Sequence, residues 1–185
     1  MRFVLKWVAA GLLALGVATP ALALENENLL VNLPAGYKVG HNARNQKQVI
    51  TEMVPSGETV ENWTEMVTVQ IFLGLKSQPA AFRANMEKLW AGACSGGTST
   101  SVSEDKTNGY AAMLWRQSCP LNKQTGKPEM TWFKAVAGND SFYVVQKAFK
   151  FEPTPEKLNE WIAFLNKVSV CDTRLKDRAC PAGMK

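Results

Sequence analysis

Few residues of this chain have the type and spacing that chemistry needs. His41 is the one histidine, and a general base also needs a nucleophile and an orienting carboxylate within hydrogen-bond reach. Ser95, Ser99 and Asp105 have the right types, but nothing in their spacing brings them to His41, and the chain holds no G-x-S-x-G turn of the kind that presents a serine nucleophile. His41 therefore reads as a polar residue near a turn. Glu58, Glu61 and Glu65, with Glu52 upstream, are acids at i, i+3 and i+7. On a helix they would share a face and offer oxygens to a hard cation. No D-x-D-x-D-G loop accompanies them, so a solvated acidic face is the expectation. Asn62-Trp63-Thr64 fits a glycosylation sequon, to which we attach no role. We expect no catalytic residue, no metal site and no cofactor.

The four cysteines, Cys94, Cys119, Cys171 and Cys180, have neither the C-x-x-C spacing nor the histidines of a zinc site. An even count in an exported chain points to two disulfides, and of three possible pairings we favour Cys94–Cys119 and Cys171–Cys180, each closing a modest loop. Export is read from the N-terminus. Arg2 and Lys6 precede an apolar run from Trp7 to Val17, and Pro20 and Ala21-Leu22-Ala23 follow. That is the pattern of a bacterial secretory signal cleaved after Ala23, and the run is shorter than the roughly 20 residues of a transmembrane helix. Residues 1–23 are thus a signal peptide and residues 24–185 a single α+β domain, placed in the periplasm or secreted. Losing the two basic residues of the signal from 21 leaves 19 against 16 acids, a net charge of +3. So small an excess, without a clustered basic face, argues against nucleic acid as a partner.

The aromatic residues divide into packing and recognition. Trp90 and Trp161 fall on apolar helical stripes, and Trp115 and Trp132 fall in strands, where such rings bury well. Trp63 stands among polar residues. With Tyr37, Glu61 and Glu65 it forms our candidate partner-binding edge, since aromatic side chains concentrate at interface hot spots. Lys123, Lys127, Arg174, Lys176, Arg178 and Lys185 place positive charge in one loop and the C-terminal tail. They could touch anionic lipid headgroups, but Asp172 and Asp177 dilute them, and a solvated surface is expected.

The elements follow from periodicity. Residues 24–36 read as a lead-in ending at a turn. Strands are expected over Tyr37–Asn42, Gln48–Val54 and Met66–Leu73, the last with Val67, Val69, Ile71 and Leu73 on one face. Glu58–Glu65 reads as a loop or helical turn. Phe82, Met86, Leu89, Trp90 and Ala93 then form a helical stripe that ends at Gly96-Gly97. Four strands follow, over 98–103, 110–118, 130–137 and 141–151, with turns at Asn108-Gly109 and Gly138-Asn139-Asp140. Thr154-Pro155-Glu156 starts a second helix carrying Leu158, Trp161, Ile162, Leu165 and Val168. A polar tail occupies 172–185, which Cys171–Cys180 would pin back as a loop. Short turns between strands imply a mainly antiparallel sheet of about seven strands with two flanking helices, an α+β fold.

Leu33-Pro34-Ala35-Gly36-Tyr37, Trp63-Thr64-Glu65-Met66-Val67-Thr68-Val69 and Phe142-Tyr143-Val144-Val145, with this order of elements, resemble the PsbP-like fold over most of residues 33–170. PsbP, a Ran-binding nuclear import factor and DcrB-like bacterial envelope proteins share that fold. The resemblance implies a non-enzymatic adaptor or assembly factor; we expect an exported binding or adaptor protein, monomeric, with a protein partner in the cell envelope and a role in envelope assembly or maintenance. The competing expectations are an enzyme whose site is assembled from sequence-distant residues and an exported inhibitor or immunity protein.

Overall fold

The computed structural model describes residues 26–182, so the signal peptide expected at 1–23 lies outside the described residues. The strands β2 (Tyr37–Arg44), β3 (Gln48–Pro55) and β4 (Glu65–Leu73) precede helix α1 (Pro79–Ala93). Then come β5 (Thr98–Thr107), β6 (Tyr110–Asn122), β7 (Lys127–Ala137), β8 (Ser141–Phe149) and helix α2 (Pro155–Lys167). These seven strands form one sheet in the order β2-β3-β4-β8-β7-β6-β5, and every neighbouring pair is antiparallel. The chain is α+β, as its turn spacing predicts.

The two helices cover opposite faces, because each central strand alternates apolar residues to both sides. Val67, Val69, Leu114, Trp132, Val145 and Phe149 pack with Trp161 and Leu165 of α2. Met113, Trp115, Phe133, Phe142 and Val144 form the other layer, under Phe82 and Met86 of α1. There Trp115 stacks on Phe133 with centroids 4.8 Å apart, and Phe82 meets Phe142 at 5.0 Å. The expected α1 stripe is corrected at Leu89, which is 69% exposed. Phe82, Met86, Trp90 and Ala93 of the stripe are partly buried, while Leu89 is left in solvent. Helix α2 starts where Thr154 accepts a hydrogen bond from the Lys157 N–H. Thr154→Ala should therefore lower stability by about 1 kcal/mol in urea unfolding.

The N-terminal end departs from expectation. Residues 24–36 are not merely a lead-in: Glu27–Leu30 forms β1, antiparallel to β9 (Ser169–Asp172). The polar tail is pinned back by Cys171–Cys180 as expected, and its described residues are tied down further. Asp172 is fully buried, and Arg174 bridges it to Asp140. The Arg178 guanidinium lies 4.4 Å from the centroid of the Tyr110 ring, so both arginines serve the fold and not a membrane surface. The buried Glu27 carboxylate accepts the backbone N–H groups of Asn139 and Asp140 and the Tyr143 hydroxyl. It thereby ties the N-terminal strand to the β7–β8 hairpin. Gly138 is needed there, since a Cβ would lie 2.5 Å from Glu27 Oε2.

The disulfides are Cys94–Cys119 and Cys171–Cys180. The first fastens the end of α1 to β6; the second pins the last residues to β9. No helix among the described residues is long and apolar enough to cross a membrane.

Candidate functional site

The partner-binding edge expected from sequence is only half assembled. Tyr37 and Glu65 meet; Trp63 and Glu61 go elsewhere. Residues 56–64 form an irregular loop, so Glu58, Glu61 and Glu65 share no helical face. Glu58 instead accepts the Thr64 N–H at 2.7 Å. Trp63 is half-buried with Lys150 Nζ 3.7 Å from its ring centroid, and is therefore not a free anchor. Glu61 is exposed. His41 lies on β2 opposite Glu52 and is exposed, while Asp105 lies on β5 at the far edge of the sheet. Those two cannot act together.

What gathers at Glu65 is a charged cluster beneath α2. Glu65 on β4 and Lys147 on β8 project to the same face, because Lys147 pairs with Val67 two residues along from Glu65. Lys147 Nζ donates to Glu65 Oε2 at 2.8 Å and to the Tyr37 hydroxyl at 2.5 Å. The Tyr37 hydroxyl donates to Glu65 Oε2 at 2.9 Å, and Lys157 of α2 takes the other carboxylate oxygen. The Lys147 side chain is wholly buried. Its ammonium lies 3.8 Å from the Trp161 centroid, 4.6 Å from Phe149 and 4.8 Å from Tyr37, an aromatic cage that partly replaces water. Tyr37 meets Trp161 edge to face at 5.3 Å.

Above the cluster, α2 and the residues leading into β2 enclose a recess of about 400 Å³. Tyr37, Glu65, Lys157, Glu160, Trp161 and Phe164 line it together with Pro34, Ala35 and Pro55. Lys157, Glu160, Trp161 and Phe164 reach it together because residues three and four apart lie on one face of a helix. Its walls are aromatic and its floor is ionic.

Each ionisable group is displaced for a definable reason. Burial brings Lys147 down to about 8, although Glu65 pulls the other way. Burial by itself would raise Glu65, but hydrogen bonds from Lys147 and Lys157 outweigh it and hold the carboxyl below its usual range. Burial, with Glu65 adjacent, pushes Tyr37 up. Between pH 8 and 10.5 the unfolded chain keeps the lysine proton that the folded protein has released, so stability should rise with pH in that window. Above pH 10 the unfolded chain loses a tyrosine proton that Tyr37 retains, and stability should fall. Below about pH 4.5 the Glu65 contribution is lost. Denaturant unfolding from pH 4 to 11 checks this, and the rise above pH 8 should shrink in Lys147→Met, leaving the part that the burial of Lys134 and Lys150 supplies.

Comparisons with family models and with curated proteins give no match. Two solved structures are similar over most of the chain. A mutant of the protein Mog1 is 15% identical with a TM-score of 0.45, covering 74% of this chain and 78% of its own. The Saccharomyces cerevisiae Ran-binding protein Mog1p is 14% identical with a TM-score of 0.43, covering 76% and 85%.

Lys147, Lys157 and Trp161 are the site residues that sequence reasoning passes over. Lys147 had a signal: it breaks an apolar strand at a core-facing position, between Val145 and Phe149. A buried charge must find a partner.

Proposed function

We propose that this protein is an exported, non-enzymatic binding or adaptor module that acts in the periplasm. On this reading it docks a protein partner of the cell envelope at the recess between α2 and Tyr37. The observation that carries the reading is the Tyr37–Glu65–Lys147–Lys157 cluster under that recess. Its Lys147 ammonium is shut away beneath aromatic rings and its carboxylate is occupied on both oxygens. Such a floor holds a fixed shape and charge pattern. An enzyme using Lys147 would need the amine to reach substrate, and Trp161 and Tyr37 stand in the way. The aromatic walls suit an inserted side chain, and Lys157 and Glu160 at the rim suit a polar surround, the usual anatomy of an interface.

The signal-like N-terminus supports the location, as do the two disulfides, which persist in oxidising compartments. The three sequence stretches that resemble the PsbP-like fold and its DcrB-like envelope members support a binding role by analogy alone. The test is in-cell crosslinking of the wild-type chain and of Ala35→Arg, which fills the recess from an exposed position. A discrete envelope-protein adduct that Ala35→Arg removes is the expected result. An adduct indifferent to Ala35→Arg would move the binding surface away from the recess.

A further inference from the structure

The opposite face of the sheet carries a second cleft, independent of the recess. It is about 540 Å³ in volume and opens between the end of α1 and the start of β5. Trp90, Glu87, Ser95, Thr98, Ser99 and Gln117 are among its lining residues. Gln117, on β6, is 0% exposed, and neither its Oε1 nor its Nε2 has a hydrogen-bond partner within the protein. The Trp90 indole N–H is unpartnered too. A buried amide with both atoms unpaired costs stability, on the order of 1–3 kcal/mol for each group, and an apolar side chain of like size would avoid that.

The wall over Gln117 is the last turn of α1, whose far end the Cys94–Cys119 disulfide holds to β6. Pro79 is the only buried residue of α1, and no basic residue lies in its last turn. Trp90 sits against Gly97, where a Cβ would come within 3.0 Å of its ring. The backbone thus makes room for this one indole. Around it the rim offers the hydroxyls of Ser95, Thr98 and Ser99 and the Glu87 carboxylate, which Arg83 steadies at 2.8 Å.

We propose that this cleft binds an N-acetylated sugar unit, with Gln117 pairing the acetamido group and Trp90 acting as stacking platform. The acetamido C=O, which stands further off the ring than a hydroxyl, accepts from Gln117 Nε2, and a neighbouring ring hydroxyl donates to Gln117 Oε1. The sugar ring places its C–H face on the indole, and its hydroxyls meet the rim hydroxyls and the carboxylate. A fully apolar ligand would leave Gln117 as it is, and an anion would meet Glu87.

The probe is N,N′-diacetylchitobiose, titrated into the ¹⁵N-labelled mature protein while the Trp90 indole resonance is followed. That resonance is assigned by its loss in Trp90→Phe. We expect a saturable shift in the roughly millimolar range of a small open site. Cellobiose, which lacks the acetamido group, should bind at least about tenfold more weakly. Ala91→Arg plugs the cleft from an exposed helix position and should abolish the shift. Gln117→Leu should weaken binding about tenfold while leaving the melting temperature unchanged or raised. Equal binding of cellobiose, equal binding of N-acetylalanine amide, a shift that survives Ala91→Arg, or no shift at all would each overturn the proposal. So would a sharp fall in melting temperature in Gln117→Leu, since it would assign the amide to structure.

Discussion

Glu65→Gln should cost about 3–5 kcal/mol of stability at pH 7, the range seen when one partner of a buried pair is removed. In a chain of this size that is a fall of roughly 10 °C in melting temperature. The shape of the side chain is kept, but the Lys147 ammonium loses its counter-charge where no water reaches it. Lys157, partly exposed, simply turns to solvent. Lys147 can escape the penalty only by releasing its proton, so the cost should shrink as pH rises from 7 to 10. The double variant Glu65→Leu/Lys147→Met should recover most of the loss, because a fully apolar replacement leaves no orphan charge. Chemical denaturation of the three variants at pH 7 and pH 10 gives the answer. A pH-independent cost would mean that Glu65 acts by packing alone.

The second large effect is at Trp161. Trp161→Ala should cost about 3–5 kcal/mol, the usual price of a large aromatic core truncation. Trp161 is 6% exposed and packs edge to face on both Tyr37 and Phe164. Removing the ring also uncovers Lys147 on its nearest aromatic side. Water then reaches the ammonium, its pKa returns towards the ordinary lysine value, and the rise in stability between pH 8 and 10 flattens. A plain packing loss would lower the whole profile and leave its shape intact. Trp161→Phe keeps a ring over Lys147 and should retain most of the slope.

The same residues show which parts of the fold were legible in the sequence. The seven-stranded sheet and both helices follow from local patterns: Val67, Val69 and Ile71 alternate, Trp161 and Leu165 recur at helical spacing, and Thr154-Pro155 starts a helix. The pairing of cysteines follows from modest loops. The β1–β9 pair does not, because four-residue strands carry little alternation and Leu29 finds Val170 across nearly the whole chain. The site was half legible. Tyr37 and Glu65 were singled out for their types, but Trp63 and Glu61 were grouped with them by nearness in sequence. The sheet order decides otherwise. It sets β4 beside β8, and the hidden partner of Glu65 is therefore Lys147, 82 residues away. The place of Lys147 between Val145 and Phe149 called for a buried partner, but only the strand order shows that the partner is Glu65.

The reading of the recess as a docking site is tested most directly by position-specific photo-crosslinking in cells. A photoreactive residue is placed at Glu160, on the recess rim, and in a second strain at Val102, 47% exposed on the β5 edge. The account predicts a discrete envelope-protein adduct from position 160 and none from position 102. An adduct from position 102 alone, or none from either position, would contradict it.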